Sequence, residues 1–259
     1  MHQTALILPH RSAKPRTSGV TMMIDGGLPT RQFTDVIESH TDLVDVVKFG
    51  WGTSLVTAGL QAKVDACKAN GVDYYFGGTL FEKFLVQDKV DDWRRFIDSY
   101  GVTTIEISNG TIDLSNELKA EYVARFAHDY QVFSEVGLKD SAKSAEMDAD
   151  EWLRDIREDL AAGAVKVITE ARESGTSGIA GANGDLRGNI IDDILASNID
   201  VDNLMFEAPT KALQIYFVER VGTNANLGNI ASTDLVPLET LRLGLRGDTL
   251  MTMEERTNA

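Results

Sequence analysis

Residues 166–181 read KVITEARESGTSGIAG, and this stretch determines which fold we expect. Its first four residues are mostly β-branched and apolar, as in a buried parallel strand. Charged residues follow at once, with Glu170 and Arg172, and a glycine-rich loop containing Ser174 and Gly175 comes next. A charge at the end of a buried strand is costly unless it is paired or used. The stretch therefore indicates either a structural salt bridge or the edge of a functional site, with the loop as a lid or an anion cradle.

The same pattern, an apolar strand that ends in polar residues, recurs along the chain. We predict strands at Val20–Ile24, Val44–Phe49, Tyr74–Phe76, Thr103–Ile107, Val132–Val136, Ala164–Thr169, Leu204–Phe206 and Ala225–Leu227. Helix-like segments with a 3.6-residue period lie between and after them, at Phe33–His40, Ser54–Asn70, Leu80–Tyr100, Ser115–Asp129, Asp150–Ala162, Asn189–Ser197, Lys211–Val221 and Pro237–Leu243. Eight such units predict a single-domain (β/α)8 TIM barrel.

The barrel is expected to occupy residues 19–247, with an N-terminal arm at 1–18 and a polar C-terminal tail at 248–259. A doubly wound open sheet is the alternative. Neither a G-x-G-x-x-G fingerprint nor a P-loop sequence follows an early strand, so the alternative lacks its usual phosphate-binding signature.

Composition narrows the class of protein. The chain has 259 residues and one cysteine, Cys67, which rules out an internal disulfide framework. A net charge of −15 disfavours binding to nucleic acid or to an anionic membrane. No apolar run is long enough to span a bilayer, and no signal peptide is recognisable. We expect a cytoplasmic protein that forms a homo-oligomer.

In a (β/α)8 barrel the active site lies at the carboxyl ends of the strands, which we call the mouth. Polar residues end nearly every predicted strand, namely Asp25, Lys48, Glu106 with Ser108, Glu135, Glu170 with Arg172, Glu207, and Asn224 with Asn226. Any one of them could be a structural ion pair, but the opposite ends of the strands show no comparable series. The series predicts a site. Lys166 suggests a rival Schiff-base mechanism, yet it lies about 13 Å deeper than Glu170, so a role in the core or in the bottom layer of the barrel is favoured.

Four glutamates that converge on one mouth would repel each other unless a cation were present. None of the four histidines ends a predicted strand. Oxygen ligands alone favour Mg²⁺ or Mn²⁺ over Zn²⁺. We therefore predict Mg²⁺ as the cofactor, with Glu135, Glu170 and Glu207 as its ligands and Glu106 as a catalytic residue.

Cations at the mouth suit an anionic substrate. Lys48, Lys139 and Arg172 are predicted to be catalytic, and Arg172 is also the expected anion clamp. The segment 226–229 follows the last predicted strand, where barrels often bind phosphate with backbone amides. The expected partner is a small phosphorylated acid, bound by Asp25, Ser108, Arg172, Ser174, Gly175, Asn226, Gly228 and Asn229.

Five segments together resemble the signature sequences of phosphosulfolactate synthases. They are VKFGWG at 47–52, EISNG at 106–110, EARESG at 170–175, EAPTK at 207–211 and NLGNI at 226–230, and the resemblance extends over about residues 14–245. It implies a Mg²⁺-dependent barrel lyase that adds sulfite to phosphoenolpyruvate on the route to coenzyme M. The family also includes plant heat-stress-associated relatives, so a non-catalytic stress-associated barrel is the alternative function.

The resemblance also implies a mechanism. A nucleophile attacks the terminal enol carbon, charge builds on the carboxylate as an aci-carboxylate that Mg²⁺ stabilises, and a lysine protonates the neighbouring carbon. Two positions depart from the family pattern, because Gly26 and Leu138 stand where the family tends to have lysine. A different nucleophile or a different phosphorylated acid is therefore a further alternative.

Overall fold

The computed structural model describes residues 5–137, 147–170 and 188–257. Eight parallel strands are present in this part of the chain. They are β1 (Thr21–Asp25), β2 (Val46–Phe49), β3 (Asp73–Phe76), β4 (Thr104–Ile107), β5 (Gln131–Val136), β6 (Lys166–Thr169), β7 (Leu204–Glu207) and β8 (Leu227–Ile230). Ladders join them in the order β3-β2-β1-β8-β7-β6-β5-β4. The (β/α)8 barrel predicted from the sequence is confirmed.

The remaining seam, between β3 and β4, has no backbone ladder in the described residues. The two strands are nevertheless neighbours. Asp73 accepts hydrogen bonds from the hydroxyls of Thr103 (3.2 Å) and Thr104 at the start of the seam. At its other end the Gly78 N–H donates to Glu106 at 2.5 Å. Side chains therefore complete the ring of strands where backbone pairing does not.

Helices alternate with the strands and cover the outside of the barrel. The described residues contain α1 (Thr30–Ser39), α2 (Leu60–Ala69), α3 (Gly78–Leu85), α4 (Val90–Ser99), α5 (Asn116–Phe126), α6 (Ala149–Ala162), α7 (Gly188–Ala196), α8 (Lys211–Val221), α9 (Leu235–Arg242) and α10 (Leu250–Thr257). The start of α6 shows a local signal, because Asp148 and Glu151 form a reciprocal capping box.

Two segments differ from the sequence-based prediction. The single helix expected over Leu80–Tyr100 is wrong, since α3 and α4 are separate helices. Asp88 adopts φ 56°, and the Lys89 N–H turns back to the Phe84 carbonyl, so the chain leaves the helix although its apolar period continues. The segment expected as a polar tail, 248–259, contains a helix that was not predicted, α10, which buries Met253.

Strand β8 lies two or three residues later than predicted. Its sequence, Leu-Gly-Asn-Ile, carries a weak apolar signal, but it pairs with β1 on one side and β7 on the other. The pairing with β1 contains a register shift between Thr21 and Met23. This correction moves Asn224 and Asn226 from the carboxyl end of the strand to its amino end.

Two apolar layers stabilise the barrel. The larger cluster fills the space between the strands and the surrounding helices. The smaller one, which we call the interior cluster, fills the barrel itself and consists of Val20, Met22, Val46, Tyr75, Phe133, Ile168 and Met205. Because side chains alternate along a strand, residues two positions after a member of the interior cluster also face inward. The interior cluster thus forms the floor of the mouth.

The described part of the N-terminal arm closes the opposite end of the barrel. Arg11 forms an ion pair with Glu239 at 3.1 Å, and Arg16 forms one with Asp45 at 3.0 Å. Lys166, at the start of β6, donates to the Thr17 carbonyl at 2.9 Å. Lys166 therefore anchors the arm at the amino end of the barrel, far from the mouth, as its position in the sequence predicted.

Candidate active site

Lys48 stands at the centre of the mouth and is 6% exposed. Its Nζ lies 3.0 Å from Glu106 Oε2, 3.4 Å from Glu207 Oε1 and 3.5 Å from Glu135 Oε2. Burial alone would lower the pKa of Lys48, but attraction to Glu106 and Glu207 outweighs burial and holds this pKa well above its ordinary value. The lysine is therefore a buried ammonium, and the carboxylates around it compensate its charge.

Strand alternation explains why these side chains meet. Each of these residues stands two positions after a member of the interior cluster: Lys48 on β2, Glu135 on β5, Glu170 just after β6 and Glu207 on β7. All four glutamates and the lysine are almost fully buried, with exposures of 6% or less. The structure thus brings together five of the strand-end residues selected from the sequence, namely Lys48, Glu106, Glu135, Glu170 and Glu207.

Three of the glutamates form a candidate metal centre. One carboxylate oxygen from each of Glu135, Glu170 and Glu207 lies within 4.8 Å of the other two. Oxygens around an octahedral Mg²⁺ stand ~3–4 Å apart, so small side-chain movements would bring these three into a coordinating geometry. The donor set is all oxygen and negatively charged, which fits Mg²⁺. Binding of the ion stays a prediction.

Glu106 has a different setting from the other three glutamates. Its Oε1 accepts from the Gly78 N–H at the start of α3, and its Oε2 faces Lys48. Ser108, two residues further on, donates to Glu82 of α3 at 2.5 Å. Side chains from β4 and α3 therefore hold each other in place, and Glu106 orients the Lys48 ammonium.

The placement of Asp25 in the mouth is wrong. On β1 it is Met22 that belongs to the interior cluster, so Asp25 faces the helix layer instead. Its carboxylate pairs with Lys63 of α2 at 2.5 Å and accepts from the Gly27 and Leu28 N–H groups. Asp25 therefore stabilises the turn after β1 from the helix side of the strand, and its carboxylate does not face the mouth.

Tyr75 is a site residue that sequence reasoning missed. It belongs to the interior cluster and is fully buried, directly below the mouth. Burial is the main cause that raises the pKa of Tyr75 well above its ordinary value, and the negative charge of the neighbouring Glu106 carboxylate is the second. The apolar run Tyr74–Phe76 predicted a strand but gave no sign of which tyrosine faces inward. Only the register with Lys48 on β2, which no local pattern reveals, decides this.

Two of the predicted substrate-binding residues, Gly228 and Asn229, lie at the end of β8, and their binding role stays a prediction. Gly228 lies against the interior, and a Cβ there would come within 2.7 Å of Met22. Asn229 has φ 54° and is 7% exposed, and its Oδ1 has no hydrogen-bond partner in the described part of the chain. A buried amide oxygen in this state is costly unless a ligand or water donates to it.

Asn226 lies at the amino end of the barrel, so its predicted place in the mouth is wrong. Its amide bonds the backbone of Val20, Asp202 and Leu204, groups at the starts of β1 and β7. Four other predicted residues, Lys139, Arg172, Ser174 and Gly175, lie outside the described residues.

Together the fold and the mouth define a class, namely (β/α)8-barrel enzymes whose site combines a buried ammonium with a cluster of carboxylates. Residues 9–248 match the family model for (2R)-phospho-3-sulfolactate synthase. The chain therefore belongs to the phosphosulfolactate synthase family and is an enzyme of the lyase type.

Individual relatives agree with this assignment. The chain is 49% identical to the phosphosulfolactate synthase of Bacillus subtilis (strain 168), over 96% of this chain and 99% of that protein. It is 40% identical to the phosphosulfolactate synthase of Methanothermobacter thermautotrophicus, over 96% and 98% respectively. A crystal structure of 3-hexulose-6-phosphate synthase matches with a TM-score of 0.53 at 16% identity, covering 92% of this chain and 98% of that one. This last likeness concerns the fold alone. No helix in the described residues is long and apolar enough to cross a membrane.

Proposed function

We propose that this protein is a Mg²⁺-dependent phosphosulfolactate synthase, which adds sulfite to phosphoenolpyruvate. The observation that carries the proposal is the Lys48 ammonium, buried in the mouth 3.0–3.5 Å from three carboxylates. Two of these, Glu135 and Glu207, also belong to the candidate metal centre with Glu170. The chain's membership of the phosphosulfolactate synthase family supports the same reaction.

Glu135, Glu170 and Glu207 would hold the metal ion. When bound, Mg²⁺ would supply positive charge to the substrate carboxylate as electrons move onto it. The three glutamates face one point from β5, the end of β6 and β7, so the barrel wall sets their positions. Asn229, with its unpartnered amide oxygen at the end of β8, would bind a donor group of the substrate or a bridging water.

The reaction balances without a redox partner. The sulfur lone pair of sulfite forms a C–S bond to the terminal carbon of the enol, and the π electrons of the C=C bond move onto the carboxylate as an aci-carboxylate. A proton then goes to the neighbouring carbon and the carboxylate is restored. The ammonium of Lys48 is the proposed donor of this proton, and the Glu106 carboxylate holds the ammonium in position.

The proposal is tested by following the loss of enol absorbance when phosphoenolpyruvate, sulfite and Mg²⁺ are mixed with the enzyme. We expect turnover that depends on all three. Turnover with another nucleophile but none with sulfite would contradict the named reaction and keep the lyase. No turnover with any nucleophile would favour the non-catalytic stress-associated barrel.

The metal centre is tested by calorimetric titration of metal-free protein with Mg²⁺. Glu135→Gln, Glu170→Gln and Glu207→Gln should each weaken binding by at least ~10-fold, since each removes a charged ligand. Glu38→Gln is the matched control, because Glu38 is an exposed glutamate on α1. Equal Mg²⁺ affinity in all four variants and the parent would exclude this centre.

A further inference from the structure

Trp51 occupies an unusual position on the rim of the mouth. It comes three residues after Lys48, in the turn that leaves β2, and its backbone φ is 48°. Few residues other than glycine adopt this left-handed conformation, and for a bulky side chain it is a genuine outlier. Such strain persists only where the surroundings enforce it, and it concentrates at functional sites.

The surroundings of Trp51 hold this turn tightly. The Gly50 N–H donates to the Asp25 carbonyl at 3.0 Å, and the Gly77 N–H donates to the Phe49 carbonyl at 2.9 Å. A Cβ at Gly77 would lie 3.0 Å from the Trp51 nitrogen and 3.3 Å from Lys48 Cε. The turn is therefore fastened to the ends of β1 and β3, and Gly77 lies beside both the Trp51 backbone and the stem of Lys48.

The indole ring itself does not gain enough burial to explain the strain. Trp51 is 41% exposed, whereas Trp93 and Trp152 are 1% and 0% exposed. Its ring lies beside the turn after β1, where a Cβ at Gly26 would be 3.7 Å from two ring carbons. A strained turn thus presents a large, half-exposed aromatic ring next to a charged site.

We propose that Trp51 is a specificity-determining residue of this mouth, where its indole forms the apolar wall against which the carbon skeleton of a small phosphorylated acid packs. An indole offers an apolar face together with one N–H donor, which suits a ligand that has an unsaturated carbon edge and anionic oxygens. This inference rests on the proposed function for the identity of its ligand, phosphoenolpyruvate.

Quenching of tryptophan fluorescence by acrylamide tests the contact directly. Trp51 is the exposed one of the chain's three tryptophans, so it should account for most of the quenching. The signal of Trp51→Phe, which retains only the two buried indoles, is subtracted from that of the parent. Phosphoenolpyruvate with Mg²⁺ should reduce the quenching of Trp51 saturably, by about half or more. Inorganic phosphate alone, which has no carbon skeleton, should protect it much less.

Kinetics separate a wall from a merely structural role. Trp51→Ala should raise KM for phosphoenolpyruvate about tenfold and change kcat little, because a wall contacts the ground state and the transition state alike. Val56→Ala is the control, because Val56 is 84% exposed and directly follows the short 3-10 helix Thr53–Leu55 that comes after Trp51. Trp51→Phe, which keeps a ring, should recover most of the parent KM.

The outcomes distinguish this inference from the proposed function. Turnover of phosphoenolpyruvate without any protection of Trp51, or with an unchanged KM in Trp51→Ala, would overturn the inference and leave the reaction standing. Protection of Trp51 by another phosphorylated acid, without turnover of phosphoenolpyruvate, would support the wall and overturn the reaction. If no phosphorylated acid of a panel that includes phosphoglycolate and phosphoglycerate protects Trp51, the inference is wrong.

Discussion

At the scale of single residues, the mouth depends on Lys48. Its ammonium compensates Glu106, Glu135 and Glu207 in a space that is almost closed to water. Removing one partner of such a buried group leaves charges without compensation, which destabilises a protein strongly. A substitution that tests catalysis must therefore keep the positive charge.

Lys48→Arg is such a substitution. Arginine keeps the charge but does not give up a proton in proteins, so it cannot act as a general acid. We expect kcat to fall by ~100-fold or more, while KM for phosphoenolpyruvate changes by only a few-fold. Steady-state kinetics with saturating Mg²⁺ measure both. A near-parent kcat in the Lys48→Arg variant would exclude Lys48 as the proton donor, and thermal unfolding would confirm that the fold is intact.

Gly26 is the second residue of interest, because it was identified from the sequence as a departure from the family pattern, which tends to have lysine at this position. Its Cα–Cβ direction points to the Trp51 ring at ordinary van der Waals distance, so a longer side chain can be accommodated along that ring. Gly26→Lys should place an ammonium near the rim and lower KM for sulfite several-fold through added positive potential. Gly26→Met, of similar length and uncharged, is the control. Equal KM values in both variants would show that charge at this position is irrelevant.

Cys67 illustrates a residue whose type suggests chemistry that its environment prevents. It is fully buried in α2, and burial, with Asp25 nearby, raises the pKa of its thiol from 9.0 to about 12. Because the thiolate is the reactive form, native protein should resist alkylation up to about pH 10 and react readily in denaturant. The unfolded thiol ionises first, so stability contributed by this group falls as pH rises from 9.0 towards 12. Rapid labelling of native protein at pH 8 would contradict this.

At the scale of elements, the sequence predicts the strands well and their ends less well. β2 and β6 each contain two adjacent β-branched apolar residues, and a charged residue follows within two positions, Lys48 in β2 and Glu170 just after β6. In β8 the strand contains glycine and asparagine, and it exists because β1 and β7 pair with it. A local pattern cannot show such pairing, and it also missed the inward face of Tyr75. Alternation along the strands places Glu135 and Glu207 in the mouth as expected, and their roles stay predictions. Asp25 stands three residues after Met22 of the interior cluster, so its side chain faces the helix layer.

The junction of β5 and β6 gives an element-scale prediction. Gly137, just after β5, has φ +122°, and a Cβ there would lie 2.7 Å from Trp152 and 2.8 Å from the Cβ of Glu170. Gly137→Ala should therefore push Glu170 away from Glu135, which weakens Mg²⁺ binding at least ~10-fold in addition to lowering stability. Calorimetric titration and chemical unfolding measure the two effects.

Gly71→Ala is the matched control for this glycine. Gly71 also has positive φ, +61°, but a Cβ there would meet nothing within 4 Å. Gly71→Ala should lower the free energy of unfolding by about 1 kcal/mol, because alanine is strained at positive φ, and should leave the Mg²⁺ affinity unchanged. If both variants bound Mg²⁺ like the parent, the position of Glu170 would not limit the metal centre.

At the scale of the whole molecule, charge opposes the proposed substrate. The chain has a net charge of −15, and phosphoenolpyruvate and sulfite are anions, so the long-range field repels them. Within the mouth the ammonium of Lys48 and the proposed Mg²⁺ act at contact distance, where salt screens little. Salt should therefore weaken the long-range repulsion by the net charge more than the short-range attraction within the mouth.

We expect kcat/KM for phosphoenolpyruvate to rise about two- to five-fold when ionic strength increases from about 20 to 150 mM, where the Debye length shortens to about 8 Å. Distant acidic side chains are screened over this range, whereas contacts in the mouth are retained. A salt of weakly coordinating ions, with Mg²⁺ kept saturating, avoids competition for the site. The value of kcat serves as the internal control, because the bound complex has already passed the repulsive field and should be nearly insensitive to salt. If kcat/KM fell instead, local attraction would extend beyond the mouth, and cations on the rim would be guiding the substrate against the net charge.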